Sequence, residues 1–180
     1  AVRHDCAVAG SIAVRVGDAV YNRLLFATPG ALQYYDKRHL FSYGGEDQRY
    51  VAGSERKVFS YRGWRICPQI CYDLRFPAWC RNRGEYDLLV FVASWPDERR
   101  QHWRGLLRAR AIENQCYVVG VNRIGEDGNR DALPTVLLEA QAAGVPIVST
   151  PVTGIPEILD GGAAGAGAAL VEERAVLVLQ

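Results

Sequence analysis

The 180-residue chain contains no methionine and opens on Ala1, so it is expected to be a processed product or a fragment. No apolar run approaches the roughly 20 residues of a membrane-spanning helix, and no signal-peptide pattern opens the sequence. Strong charge of either sign is missing too. The formal net charge is +1, which gives no reason to expect a nucleic-acid binder or a membrane-surface protein. The five cysteines are odd in number and sit in apolar or strand-like surroundings, away from the spacing of a disulfide framework. A reducing cytoplasm is therefore the expected setting. No internal repeat is present.

What is there reads as globular. Apolar residues make up 49% and charged residues 23%, enough for one compact domain or for two small pieces. Ser11 to Val16 reads as a strand, with Gly17-Asp18 as a turn and Tyr21 to Thr28 as its hairpin partner. Pro29-Gly30 is a second turn, followed by a strand over Ala31 to Asp36. Residues 42 to 54 read as a loop, and Val58–Tyr61 with Trp64–Ile70 as a hairpin around Arg62-Gly63. A short helix is expected over Phe76 to Arg83. Tyr86 to Ala93 and Cys116 to Asn122 are continuous apolar runs, the pattern of strands buried on both faces. Between them, Asp97 to Asn114 has helical spacing, with Trp103, Leu106, Leu107 and Ile112 near one face. The arginines at 99, 100, 104, 108 and 110 are expected on a solvated face rather than on phosphates.

Chemistry concentrates in residues 64 to 75. An alternating run ends there in Cys71, Tyr72, Asp73, Leu74 and Arg75, which places a thiol where a strand enters a bend. Backbone N–H groups turned out by such a bend make an oxyanion site beside a nucleophile. Upstream, Lys37 lies among aromatic and apolar residues, and Glu46 follows in a Gly-Gly-Glu-Asp loop. Cys67 and Cys71 have a Cys-x-x-x-Cys spacing, but without a second pair or a nearby histidine they read as strand residues, not metal ligands. Cys6, Cys80 and Cys116 read as small core residues. His39 reads as structural. Trp95, before Pro96, either lines a substrate pocket or packs beneath one.

Taken in order, Tyr-Asp-Lys37-Arg-His-Leu-Phe, Gly-Glu46-Asp-x-x-Tyr-x-x-Gly, Ile-Cys71-Tyr-Asp-Leu-Arg-Phe-Pro, Ala-Ser-Trp-Pro and Arg-Ala-Ile-Glu-Asn-Gln resemble the nitrilase superfamily, in particular its bacterial ω-amidase-like branch. The resemblance covers about residues 7 to 130. It implies an αββα sandwich and a Glu-Lys-Glu-Cys catalytic set. Cys71 would be the nucleophile and Glu46 the second glutamate, while Lys37 and the backbone N–H of Tyr72 would face the oxyanion. In the family the first glutamate, the general base, lies in a segment that precedes the start of this sequence, so impaired activity is expected. The implied substrate is the terminal amide of a small dicarboxylic acid monoamide, cleaved through a thioester with no metal or organic cofactor.

Residues 131 to 159 resemble a different family, the donor-binding segment of GT-B glycosyltransferases. There Pro134 would open a helix running to about Ala143, Val145 to Thr150 would be a strand, and Glu139 would touch a nucleotide sugar. Asp131 stands where that family has another glutamate. The expected division is a nitrilase-like fragment over 1–130 and a glycosyltransferase-like fragment with a Gly/Ala-rich tail over 131–180, joined as a chimera. The overall expectation is an α/β protein, a partial αββα sheet sandwich with an appended Rossmann-like βα unit. Amide hydrolysis is the leading activity, with glycosyl transfer or a catalytically silent scaffold as alternatives. Self-association through an open sheet edge is expected.

Overall fold

A computed structural model describes residues 1–123 together with short strands at 148–149, 169–170 and 176–179. Strands β1 (Ala7–Val16), β2 (Ala19–Ala27) and β3 (Leu32–Asp36) form an antiparallel meander. A second sheet begins with the hairpin of β4 (Phe59–Tyr61) and β5 (Trp64–Ile70), whose turn residues Arg62 and Gly63 both have positive φ. Two positive φ values match the right-handed twist of the flanking strands. One turn of helix, α1 (Pro77–Cys80), leads to β6 (Leu88–Ala93). Helix α2 (Arg100–Asn114) then returns the chain to β7 (Tyr117–Asn122), so β5, β6 and β7 run parallel. The remaining described strands are β8 (Val148–Ser149), β9 (Ala169–Leu170) and β10 (Val176–Leu179); β8 pairs with β9, and β10 pairs antiparallel with β1.

The sheet orders are β10-β1-β2-β3 and β4-β5-β6-β7. Between the sheets lies one core, built from Ala7, Ala9, Leu24, Phe26 and Tyr35 against Phe59, Ile66, Ile70, Leu88, Val90 and Val92. The outer face of the second sheet carries another, where Cys67, Leu89, Phe91 and Ala93 meet Trp103 of α2. Residues of β6 thus alternate between two buried layers, which is why its sequence is apolar without a break. Pro68 is tolerated inside β5 because β4 begins only at Phe59, opposite Ile66, so β4 does not reach residue 68.

Glycine at 120 allows α2 to lie close on β7: an added Cβ would fall 2.6 Å from Leu107 Cδ1 and 2.7 Å from Trp103 Cζ2. Several expectations are corrected. The helix expected over 76–83 shrinks to one turn after a 3-10 segment at Cys71–Arg75. The expected helix at 97–114 starts as a 3-10 turn at Asp97–Arg99 before α2. Strand β1 begins four residues earlier than expected, since small residues that show little alternation are paired on both sides by β2 and β10. Arg110, expected in solvent, is buried, donating to Glu113 Oε1 at 2.8 Å and to Leu74 O at 2.7 Å. The expected Rossmann-like unit falls largely outside the described residues.

Candidate active site

Two strand ends in different sheets supply the central side chains. Lys37 follows β3, and Cys71 follows β5. The Lys37 backbone is held from both sides, its N–H donating to Asn22 O and its carbonyl accepting from Gly53 N–H, each at 2.9 Å. Gly53 can approach only as glycine, because a Cβ there would stand 2.3 Å from Asp36 O. The Lys37 side chain is 1% exposed and its Nζ lies 2.5 Å from Glu46 Oε2. The same oxygen accepts the Phe41 N–H at 2.7 Å, and Oε1 accepts from Asn22 Nδ2 at 3.2 Å. Glu46 is therefore committed to holding a buried ammonium, which a lone charge could not occupy without a partner.

Cys71 sits where β5 turns into the 3-10 segment, at φ 46°, in the left-handed region. Its thiol points toward the end of β6, with Sγ 3.8 Å from Ser94 O. Burial pushes the thiol pKa above its ordinary value; Lys37 pulls it down, and Glu46 pushes it up again. The Lys37–Glu46 pair therefore offers less thiolate stabilisation than a lone lysine would.

Cys71, Tyr72, Ser94, Trp95, Pro96, Phe41, Arg75 and Arg99 line a cavity of about 90 Å³. Its far wall is fixed by Asn122, whose Oδ1 accepts the Trp95 N–H at 2.6 Å while Nδ2 donates to Trp95 O at 2.9 Å. Trp95 lines the cavity and also packs on Trp103, with ring centroids 5.2 Å apart. Arg75 lies over the Trp95 ring, 5.2 Å from its centroid, and its Nη2 is 3.3 Å from His102 Nδ1.

The pattern of residues 1–164 matches the carbon-nitrogen hydrolase family. The chain belongs to that family. Omega-amidase YafV of Yersinia enterocolitica is 56% identical to this chain over 129 residues, 71% of this chain and 50% of the relative. The 2-oxoglutaramate amidase of Bacillus subtilis is 41% identical over 128 residues, 69% of this chain and 49% of the relative. The chain spans about half the length of these curated relatives. Among solved structures, a carbon-nitrogen hydrolase superfamily protein of Xanthomonas campestris with an arsenic adduct in its active site aligns at 43% identity and TM-score 0.66, covering 86% of this chain and 69% of the other. An amidase of Nesterenkonia in complex with butyramide aligns at 21% identity and TM-score 0.57 over 67% of this chain and 49% of the other, a likeness of fold alone.

Lys37 and Glu46 are thus in direct contact, and Cys71, Tyr72 and Trp95 share one cavity. Glu139 and Asp131, expected to belong to a glycosyltransferase-like stretch, lie outside the described residues, and the family match runs on through the junction expected at 129–131. Asp73, Tyr35, Asn22 and Asn122 belong to the surroundings of the site without a motif that marks them, and His39, expected to be structural, binds Asp73. Asp73 has Arg75 two residues on, so its local sequence carries no signal of burial.

Proposed function

We propose that this carbon-nitrogen hydrolase is a cysteine-dependent amidase of ω-amidase type. The observation that carries this reading is a thiol at a left-handed strand end, sharing a small cavity with two guanidinium groups and influenced by a buried Lys37–Glu46 pair. Identity to an omega-amidase and a 2-oxoglutaramate amidase over the stretch that contains these residues supports it. The cavity volume of about 90 Å³ is far below the roughly 300–1,000 Å³ of drug-sized ligand pockets, which favours a small substrate. Apolar walls from Phe41, Trp95 and Pro96 suit a short methylene chain, and Arg75 and Arg99 suit a carboxylate at its far end. A small dicarboxylic acid monoamide has that shape.

In the proposed reaction the Cys71 thiolate attacks the terminal amide carbon. The resulting oxyanion is stabilised by Lys37 and the Tyr72 N–H. The C–N bond breaks, ammonia leaves with the thiol proton, and a thioester remains on Cys71. Water then cleaves the thioester, releasing the dicarboxylate and restoring the thiol. Glu46 is occupied by three donors and Asp73 by four, so neither of these carboxylates is assigned the proton transfers.

Five free thiols support a reducing, cytoplasmic setting. Exposed Leu32 and Tyr34 on β3, the last strand of its sheet among the described residues, support self-association at that edge. The test of the activity is ammonia release from a panel of small ω-amides, measured beside a Cys71→Ala variant. Release that disappears with the thiol is expected. Folded protein that releases none from any member of the panel refutes the proposal.

A further inference from the structure

We infer that Asp73 is a positioning residue that fixes Lys37 relative to Cys71. The inference takes its functional meaning from the amidase reading. Asp73 is fully buried and accepts four hydrogen bonds. Its Oδ2 takes the Tyr35 hydroxyl at 2.8 Å and the Ile70 N–H at 3.1 Å. Its Oδ1 takes the His39 N–H at 2.9 Å and His39 Nδ1 at 2.8 Å. Because a carboxylate only accepts, Nδ1 carries the histidine proton in this contact.

The positions of these partners matter more than their number. Tyr35 and His39 stand two residues before and two residues after Lys37. Ile70 immediately precedes Cys71, and Asp73 lies two residues beyond it. One carboxylate thus joins the backbone around the lysine in one sheet to the backbone around the thiol in the other. Three further contacts stiffen the joint. The Tyr35 hydroxyl accepts the Arg38 N–H and Trp79 Nε1–H, each at 3.1 Å. The His39 ring stacks on Phe76, with centroids 3.6 Å apart and planes 8° from parallel.

Asparagine has nearly the same shape but only one accepting oxygen. In Asp73→Asn the side-chain NH₂ must face either the Tyr35 and Ile70 donors or the two His39 donors, so one arm of the joint is lost. Loss of the negative charge and loss of position move the thiol in opposite directions. Asp73 by its charge raises the Cys71 pKa, whereas Lys37 lowers it. Removal of charge alone therefore speeds thiolate formation, while displacement of Lys37 slows it.

The experiment is iodoacetamide alkylation of the 180-residue protein across a pH series, with Cys71 read from its own peptide by mass spectrometry. Folding is checked by circular dichroism. Asp73→Asn is expected to shift the Cys71 profile to higher pH and slow alkylation at neutral pH by about tenfold, the change that one pKa unit produces. A folded variant that alkylates at the parental rate or faster overturns the inference. Should Asp73→Asn fail to fold, Tyr35→Phe and His39→Leu each remove one side-chain donor to Asp73 and leave the backbone donors in place: slowing in either supports the inference, and parental profiles in both overturn it. Absence of ammonia release by the parent would instead strike the amidase reading, since alkylation does not depend on turnover.

Discussion

Replacing Glu46 with glutamine keeps its shape and removes the charge that faces Lys37. Lys37 is 1% exposed and Glu46 22% exposed, so the variant leaves an ammonium almost without water opposite a neutral amide. Removing one partner of a fully buried ion pair costs about 3–5 kcal/mol. Because Glu46 reaches solvent, the expected cost is lower, about 2–3 kcal/mol. Lys37→Met should cost less, about 1 kcal/mol, because a carboxylate with some solvent access and an apolar chain in a buried slot are both tolerable. Glu46 would also keep the Phe41 and Asn22 donors. In the double variant the coupling should then be about 2 kcal/mol. The assay is urea unfolding of all four proteins, compared by midpoint at unchanged slope. For a chain of this length the Glu46→Gln loss corresponds to a fall in Tm of about 5–10 °C. Equal costs for the two single variants, with coupling below about 0.5 kcal/mol, would show that the pair is effectively solvated and would refute the reasoning.

Three further outcomes are expected. Gly53→Ala forces a Cβ against Asp36 O and should cost roughly 1–3 kcal/mol in urea unfolding, together with reduced ammonia release, because the Gly53 N–H holds the Lys37 carbonyl; parental stability contradicts this. Arg75→Met should raise KM for a carboxylate-bearing ω-amide by about tenfold, the worth of one charge-assisted hydrogen bond, and leave a neutral amide of equal length unaffected. Equal losses on both substrates would remove Arg75 from carboxylate recognition. Arg65 holds the Asp87 carboxyl down to about 2, so their contact is fully present above the ordinary carboxylate range and is lost as pH falls through about 2. A carbon-13 titration of Asp87 with a midpoint at the ordinary carboxylate value of about 4 would contradict that.

Much of the frame follows from local pattern. The apolar run at β6 demands burial on both faces, and Arg62-Gly63 between two extended runs demands a turn. The family motifs likewise place Lys37, Glu46 and Cys71 in chain order before any coordinates are known. Less legible is what depends on partners distant in sequence. Asp73 binds residues 34 and 38 positions away, and nothing in its immediate neighbours distinguishes it from a surface acid. Arg110 shares a helical stripe with Trp103, Leu107 and Asn114, so spacing carried the signal for its burial, but charge outweighed it. Segment 76–83 has the composition of a longer helix. Its chain turns away after Cys80, where Asn82 accepts an N–H from Glu85 and donates to Tyr86 O.

Among the described residues Asp5, Arg62, Cys71 and Gln115 are the non-glycine residues at positive φ, and only Cys71 follows the end of a strand in the candidate site. A side chain in that conformation costs of order 1–3 kcal/mol, most of which glycine would recover. Cys71→Ala and Cys71→Gly are therefore unequal as inactive controls: alanine keeps the strain, and glycine releases it. A mutant library sorted for folding alone would enrich glycine at position 71 and lose the nucleophile, while a library sorted for turnover would keep the strained cysteine.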